Sequence, residues 1–356
     1  MSGLEKMRYK RLGEEAVAMP SGTFRPRVLV TGKVAPVGLA RLAEFAEVSV
    51  LVTPTEESLS AAIADTHALL HKVGPVSASV LQNATNLRMV ARHGVGLDDL
   101  DLPYLHQMKV VVTTTAAANS QAVAEHTLLL ALTAARKLIP AHMSLGAGTW
   151  RREEFMGSSL SGSTFGLIGM GRIGQGVARL ARAFGCTVLG YDKAGPFFAD
   201  LTEAKPVTLE NLLRRSDFVS LHCPLTAETQ GLIGKPELSL MKPGAVLINT
   251  ARGGLVDEAA LTEALVSGAL AGAALDVYAH EPPDFASQLL HLPNVVHTPH
   301  IAAMTAATQE QMALMTAESI QIFLMEGRLP PHVVGAAVYC ERSRLEAKGP
   351  PPHGTA

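Results

Sequence analysis

Four side chains suited to anion binding and proton transfer occur where predicted strands end. They are Arg252, Asp276, Glu281 and His300. An arginine guanidinium presents a planar fork of donors that matches a carboxylate. Histidine is well suited to proton transfer near neutral pH, and a neighbouring carboxylate keeps its charged form available. Because ligands bind at the carboxyl ends of strands in open α/β sheets, these positions predict a site that holds a carboxylate and transfers a proton.

Other roles compete with this prediction. Arg252 also fits a surface arginine in a glycine-rich loop. The pair His297 and His300 suggests a metal site, but residues three apart on a strand point to opposite faces, and Pro299 disfavours a helix. We therefore expect no metal. Cys223 follows an apolar strand without an evident base, so we expect a small buried or cofactor-facing residue and not a nucleophile.

A glycine-rich segment predicts a dinucleotide site. An apolar strand enters Gly169, Gly171 and Gly174 in G-x-G-x-x-G spacing, and a helical pattern and a second strand that ends in Asp192 follow. The first glycine makes the tight turn, the second admits a pyrophosphate, and the third lets the helix pack on the strand. The helix N-terminus supplies N–H groups to the phosphates. Asp192 lies where a carboxylate accepts both ribose hydroxyls and repels a 2′-phosphate, so NAD is favoured over NADP.

Short strands that alternate with helical stretches position these residues. The predicted strands lie at 28–30, 48–52, 68–73, 88–92, 110–113, 218–221, 245–248, 273–277 and 295–297, besides the two of the glycine motif. Such alternation is typical of an α/β fold whose parallel sheets are covered on both faces. We expect a helical segment before each strand that follows the motif. A long helix is predicted from a cap at Asn119 and Ser120 to Pro140, and a last helix over 305–326.

Composition narrows the class of protein. The 356 residues have a net charge of −2, no basic stripe and few aromatic side chains, which argues against a nucleic-acid-binding surface. The three cysteines are scattered, unlike a disulfide framework or a zinc site, which fits a reducing compartment. No apolar stretch approaches the roughly 18 to 20 residues that span a bilayer, and the charged N-terminus lacks a signal-peptide core. We expect a cytoplasmic protein without membrane or nucleic-acid partners.

Several sequence blocks together resemble one enzyme family. They are 92–98, 118–120 with 125–127, the Gly169 motif, 222–226, 249–257, 274–282 and 298–300. In this order they resemble the D-isomer-specific 2-hydroxyacid dehydrogenases. The resemblance implies an α/β fold of two doubly wound parallel-sheet domains, a flavodoxin-like substrate-binding domain over 27–118 plus 301–335 and a Rossmann NAD-binding domain over 119–300. Residues 1–26 and 343–356 are expected to be flexible extensions.

The resemblance also implies roles for individual residues. Arg252 would hold the carboxylate and carbonyl of a 2-oxo acid, His300 would be the general acid/base, and Glu281 would pair with His300. Substrate-binding residues are expected at Lys72, Val95, Gly96 and Arg252. Cofactor-binding residues are expected at Gly169, Gly171, Arg172, Ile173, Gly174, Asp192, His222, Cys223, Pro224, Thr250, Ala251 and Asp276. The helix after Asn119 and Ser120 is expected to make the contact of a homodimer.

The implied activity is that of an NAD-dependent D-2-hydroxyacid dehydrogenase. It would transfer a hydride reversibly between NADH and a small 2-oxo acid of the glyoxylate, hydroxypyruvate or phosphohydroxypyruvate type. Glu281 argues against formate, because formate dehydrogenases have an amide there. Asp99 replaces the asparagine that ends the family's substrate loop, and we expect no regulatory domain after residue 340. The alternative is an NAD(H)-binding interaction or sensor protein of the corepressor kind, which shares the fold and keeps the arginine, glutamate and histidine.

Overall fold

A computed structural model describes residues 25–195 and 203–335. The chain divides into two compact units, the first comprising the residues up to Ala118 and those from Ala306, and the second Asn119–Thr305. The expected extensions at 1–26 and 343–356, apart from Arg25 and Pro26, lie outside the described residues, as does Cys340. The assignment of one domain to the substrate and one to NAD stays a prediction.

The described strands and helices alternate along most of the chain. The strands are β1 (Arg27–Thr31), β2 (Glu47–Leu51), β3 (Ala68–His71), β4 (Met89–Arg92), β5 (Val111–Thr113), β6 (Thr164–Ile168), β7 (Thr187–Tyr191), β8 (Lys205–Pro206), β9 (Phe218–Leu221), β10 (Val246–Asn249), β11 (Gly272–Leu275) and β12 (Val295–His297). The α-helices are α1 (Pro36–Ala43), α2 (Glu56–Ile63), α3 (Ala78–Leu81), α4 (Leu102–Gln107), α5 (Ser120–Ala135), α6 (Leu138–Gly146), α7 (Arg172–Ala183), α8 (Leu209–Arg215), α9 (Lys235–Leu240), α10 (Glu258–Val266) and α11 (Ala306–Leu324).

The first unit is a five-stranded parallel sheet in the order β2-β1-β3-β4-β5. Its central strands are unbroken apolar runs, as parallel strands covered on both faces require. Val28, Leu29 and Val30 of β1 are at most 1% exposed. One face packs against α1 and α11, through residues such as Ile320, and the other against α2, α3 and α4. The last described helix, α11, thus packs in the first unit.

The second unit is a seven-stranded parallel sheet in the order β12-β11-β10-β9-β6-β7-β8. A core on one face includes Leu212, Leu261 and Leu289, and a core on the other includes Leu128 of α5 and Val177 of α7. The order reverses between β6 and β9, which is the point where ligands bind in doubly wound sheets. The predicted α/β class with parallel sheets covered by helices is confirmed.

Two expectations about elements of the second unit were wrong. The helix predicted to reach Pro140 ends at Ala135, because Pro140 has no N–H to donate to the Arg136 carbonyl; Lys137 turns with a φ of 49°, and α6 then starts at an angle of 62° to α5. Asn119 occupies the cap position of α5 but makes no capping bond through its side chain. The helical segment expected before β12 is a single 3-10 turn at Gln288–His291.

Within the described ranges, no single helix has the length and apolar composition to cross a membrane, and only the bent pair α5 and α6 meets those two criteria jointly.

Candidate active site

Arg252 lies on a loop that a buried asparagine shapes. Asn249 ends β10 and is 1% exposed. Its side-chain amide donates to the Arg252 carbonyl at 2.8 Å, and its carbonyl oxygen accepts from the Ala251 N–H at 3.0 Å. The Arg252 guanidinium donates to the Ala251 carbonyl at 2.6 Å through Nη1. The loop therefore leaves the carboxyl end of β10 in one fixed conformation, with the arginine at its tip.

Gly253 brings the arginine loop against the loop that follows β11. A Cβ placed on Gly253 would lie 1.8 Å from the carbonyl carbon of Tyr278, so no other residue fits without moving backbone. Tyr278 also donates its backbone N–H to Oε1 of Glu281 at 3.1 Å. The close approach sets Arg252 beside the segment that carries Glu281.

Glu281 and His300 form a hydrogen-bonded ion pair. Oε2 of Glu281 lies 2.7 Å from Nδ1 of His300, and the two side chains are 37% and 50% exposed. Burial raises the pKa of the Glu281 carboxyl, but its bond to His300 and the charges of His300 and Arg252 hold that pKa below the ordinary value. A carboxylate on Nδ1 directs Nε2 to the other side of the ring, which is the orientation a proton-transferring histidine needs.

His300 itself has a strained backbone that Asp276 holds. Its φ is 54°, a left-handed conformation that is uncommon for residues other than glycine. The His300 N–H donates to the Asp276 carbonyl at 2.8 Å. The Asp276 carboxylate accepts from the N–H groups of Ile301 at 2.8 Å and Ala302 at 2.9 Å. The backbone around the histidine is thereby anchored to the end of β11.

Asp276 is fully buried, with an exposure of 0%. Burial raises the pKa of this carboxyl, but hydrogen bonds from His126, Thr298, Ile301 and Ala302 lower it below the ordinary value. The structure thus shows an anchoring role for Asp276. Its expected contact with the cofactor stays a prediction.

The glycine loop has the shape that a dinucleotide requires. Gly169 has a φ of 96°, and a Cβ there would lie 2.6 Å from the Cys223 nitrogen. A Cβ on Gly174 would lie 2.1 Å from the Gly169 carbonyl oxygen, whereas Gly171 faces open space. Gly171 precedes the twelve-residue helix α7, whose N-terminal N–H groups can donate to phosphate. The residues present therefore fit a pyrophosphate group.

Asp192 is fixed to this loop from the end of β7. Its Oδ2 accepts from the Met170 N–H at 2.8 Å, and its Oδ1 accepts from the Ala194 N–H at 2.9 Å. Each carboxylate oxygen has a second lone pair, so the group retains acceptors for two hydroxyls. Arg172 is exposed and Ile173 half-buried in the first turn of α7.

The other predicted cofactor residues lie at the ends of β9 and β10. His222, Cys223 and Pro224 directly follow β9, and Thr250 and Ala251 follow β10. Burial lowers the pKa of His222 to about 3 and raises the pKa of Cys223 to about 11. A thiol with such a high pKa is protonated at neutral pH, which argues against a nucleophile at this position.

The predicted substrate residues of the first unit lie after β3 and β4. Nζ of Lys72 donates to the Lys33 carbonyl at 2.6 Å and to the Gln309 side chain at 2.9 Å. Val95 and Gly96 belong to the loop between Arg92 and Asp99, whose side chains form an ion pair of 2.9 Å. Asp99, the departure from the family pattern, therefore ties the two ends of this loop together.

His297 and His300 have separate partners. Nδ1 of His297 lies 3.2 Å from the Tyr278 hydroxyl, and His300 bonds to Glu281. Among the residues that the structure describes, no group of three or more histidine, cysteine or acidic side chains is arranged to hold a metal ion.

Sequence reasoning missed residues that shape the site from within. Asn249 and Gly253 were quoted only as neighbours of Arg252, and Thr298 only as a neighbour of His300. The pair of glycines after Arg252 was the available signal, because a glycine often marks a close backbone approach. Tyr278 and His126 carry no such signal, since their contacts join segments far apart in the chain.

Comparison with known proteins identifies the family. Residues 128–302 match the NAD-binding domain of the D-isomer-specific 2-hydroxyacid dehydrogenases. The chain is 36% identical over 327 residues to a glyoxylate reductase of Thermococcus litoralis, covering 88% of this chain and 98% of the relative. The chain belongs to the D-isomer-specific 2-hydroxyacid dehydrogenase family, which confirms the resemblance and the binding of a nicotinamide dinucleotide.

Other relatives differ in length and in cofactor. A D-3-phosphoglycerate dehydrogenase of Mycobacterium tuberculosis is 42% identical over 319 residues, which are 89% of this chain and 60% of the relative. This chain thus spans about 60% of the length of that relative. A crystal structure of an NADPH-dependent glyoxylate/hydroxypyruvate reductase from Sinorhizobium meliloti, in complex with NADP and malonate, superposes with a TM-score of 0.80 at 33% identity, covering 88% of this chain and 97% of the other.

Proposed function

We propose that this protein is an NAD-dependent 2-hydroxyacid dehydrogenase that reduces a small 2-oxo acid and runs reversibly. The observation that supports this most is the Glu281–His300 pair, with the Arg252 loop packed against the segment that carries Glu281. The glyoxylate reductase of T. litoralis and the glyoxylate/hydroxypyruvate reductase of S. meliloti each match 88% of the chain and support a substrate of the glyoxylate or hydroxypyruvate type. Phosphohydroxypyruvate is the other candidate, from the mycobacterial relative.

Arg252, His300 and Glu281 have different roles in the proposed reaction. The Arg252 guanidinium binds the substrate carboxylate and stabilises negative charge on the carbonyl oxygen, so it acts most strongly in the transition state. His300 in its protonated form donates from Nε2 to that oxygen, and Glu281 holds the ring in place through Nδ1. A bound NADH supplies the hydride that reduces C2 of the acid. Gly169, Gly171, Gly174 and Asp192 would hold it.

Val95, Gly96 and Lys72 are proposed as substrate-binding residues of the first unit. The support is the family resemblance of the loop and its fixation by the Arg92–Asp99 ion pair.

The test is an NADH-oxidation screen of the full chain with glyoxylate, hydroxypyruvate, pyruvate, 2-oxoglutarate and phosphohydroxypyruvate. We expect turnover of at least one of these acids. NADH binding measured in parallel separates the outcomes. Binding without turnover of any acid would contradict the enzyme proposal and support an NAD(H)-binding interaction protein.

Asp192 is expected to set the choice of cofactor. Its carboxylate accepts hydrogen bonds from the ribose hydroxyls and repels a 2′-phosphate. We therefore expect kcat/KM with NADH to exceed that with NADPH by about 10-fold or more, a factor that corresponds to roughly 1.4 kcal/mol. Asp192→Ala should narrow the difference by weakening the NADH reaction. The S. meliloti relative binds NADP, so the fold itself does not exclude that cofactor. Equal kcat/KM for NADH and NADPH in the unmodified protein would therefore contradict the role of Asp192 in cofactor choice.

Glu281→Gln is expected to move the pH dependence of reduction. Reduction needs protonated His300, and the glutamine lacks the negative charge that favours the imidazolium form. The bond to His300 and the charge of His300 hold the pKa of Glu281 below its ordinary value, and this attraction is mutual. Loss of the carboxylate should therefore shift the alkaline limb of kcat/KM to lower pH. The profile should be measured between about pH 5 and 10, a window that brackets the ordinary histidine range. An unchanged alkaline limb would show that Glu281 does not govern the protonation of His300.

We propose a homodimer formed through the segment 138–156. Large apolar side chains there are 51–81% exposed, namely Leu138, Ile139, Met143, Leu145 and Trp150, with Met156 at 75%. A groove of about 850 Å³ beside them is lined by Ile139, Phe155, Met156 and the starts of β9 to β12. Exposed apolar surface of this kind marks an interface between proteins.

The oligomeric state tests the proposed homodimer. Light scattering should give twice the mass of the chain, and the double variant Met143→Glu/Trp150→Glu should give a monomer. A monomeric parent protein would contradict the proposal.

A further inference from the structure

Helix α5 contacts both loops of the proposed active site through two adjacent side chains. Thr127 is buried and donates its hydroxyl proton to the Val123 carbonyl at 2.8 Å. Its oxygen lies 3.0 Å from the Thr250 hydroxyl. Since a hydroxyl has a single proton, Thr250 must be the donor in this second bond. The loop that carries Arg252 is thus bonded to α5 two residues before the arginine.

The other contact runs from His126 to the loop that carries His300. Nε2 of His126 lies 3.2 Å from Oγ1 of Thr298 and 3.5 Å from Oδ1 of Asp276, and the histidine side chain is 11% exposed. Thr298 donates its hydroxyl proton to Oδ1 of Asp276 at 2.6 Å, because a carboxylate only accepts. Thr298 must therefore accept from His126. The contacts require a proton on Nε2 of His126.

We propose that His126 is a positioning residue for the general acid His300, acting through Thr298 and Asp276. This rests on the function proposed above. The chain of bonds continues from the Asp276 carboxylate to the Ile301 and Ala302 N–H groups, and from the Asp276 carbonyl to the His300 N–H. Each link fixes one group beside the histidine, whose left-handed backbone persists only where the surroundings hold it.

His126 and Thr127 lie on one turn of α5, so a single helix positions both loops of the proposed active site. His126 and Thr127 are consecutive, so a rigid helix sets the loop of the acid and the loop of the carboxylate-binding arginine against one another. A catalytic group displaced by about 1 Å lowers the rate by up to roughly 100-fold, even when binding is retained. Loss of the His126 bond should therefore lower kcat more than it raises KM.

Four single variants and one double variant test this in the full-length protein. His126→Leu and Thr298→Val should each lower kcat about 10-fold or more with NADH affinity unchanged, and His126→Gln and Thr298→Ser should recover most of it, since both retain the needed hydrogen-bonding groups. The double variant His126→Leu/Thr298→Val should be no slower than the slower single variant, because coupled residues are not additive. Multiplying effects, or no gain from the conservative variants, would overturn the proposal.

A control and a second readout separate positioning from general destabilisation. Thr133→Ala alters another buried residue of α5, about 10 Å along the helix at 1.5 Å per residue, and should leave kcat unchanged. Hydrogen exchange of the peptide that contains Ile301 and Ala302 should be at least about 10-fold faster in His126→Leu than in the Thr133→Ala control. Equal exchange in the two variants would overturn the proposal. A parent protein without turnover would contradict the proposed function only, and the exchange measurement would then decide the role of His126.

Discussion

Replacement of His300 by alanine is expected to reduce turnover of the 2-oxo acid by about 100- to 10,000-fold, the usual contribution of a general acid. Alanine removes the ring that Glu281 orients and leaves no proton donor at that position. NADH affinity should stay near that of the parent protein, because the glycine loop and Asp192 belong to other segments. Stopped-flow turnover and fluorescence titration with NADH measure the two quantities separately.

His291→Ala is the matched control for this experiment. His291 is exposed and lies in the 3-10 turn before β12, where Nε2 is within 3.0 Å of the Phe285 carbonyl. Its removal should leave kcat within about twofold, as expected for a surface substitution. A His300→Ala protein that retains most of its activity would assign proton transfer to another group.

The second large effect is expected at Arg252. Arg252→Ala should lower kcat/KM for the 2-oxo acid by about 100- to 1000-fold, the scale on which loss of one donor to a developing oxyanion acts. Arg252→Lys should recover only part, because an ammonium cannot reproduce a bidentate fork. The Asn249 side chain bonds to the Arg252 carbonyl, and Gly253 packs against the Tyr278 backbone. Neither contact involves the Arg252 side chain, so the fold should be retained.

The control for Arg252 is Arg214→Ala on α8. Arg214 is 55% exposed and pairs with Glu210 on the same helix at 3.0 Å. A surface ion pair of this kind contributes little to stability. The kcat/KM of Arg214→Ala should equal that of the parent. A lysine variant of Arg252 with the parent's kcat/KM would show that the fork geometry has no part in substrate recognition.

The architecture and most of the site segments were predictable because they depend on local pattern. Apolar runs such as Val28–Val30 predict buried parallel strands, and the spacing of Gly169, Gly171 and Gly174 predicts the turn that the structure contains. The polar residues at strand ends were predictable for the same reason, since topology alone brings carboxyl ends to one edge. The Glu281–His300 bond agrees with the pairing expected from the family resemblance.

Contacts between distant segments were not predictable from the sequence. The bond between His126 and Thr298 joins residues 172 positions apart, and neither residue type indicates a contact with the other. The break of α5 before Pro140 was within reach, because a proline removes the helical bond to the residue four positions earlier. The anchoring role of Asp276 was not predictable, because an acidic residue at a strand end can equally bind a ligand or accept hydrogen bonds from the protein's own backbone.

Reduction of hydroxypyruvate or pyruvate with NADH that carries deuterium at both hydrogen positions of the nicotinamide C4 tests the central claim most directly. Direct hydride transfer at a site that holds the carboxylate and protonates the oxygen from one side should give a single enantiomer of the 2-hydroxy acid, of the D series, with deuterium at C2. Mass spectrometry and chiral chromatography of the product measure both properties. A racemic product, a product without deuterium, or an L-enantiomer would contradict the account.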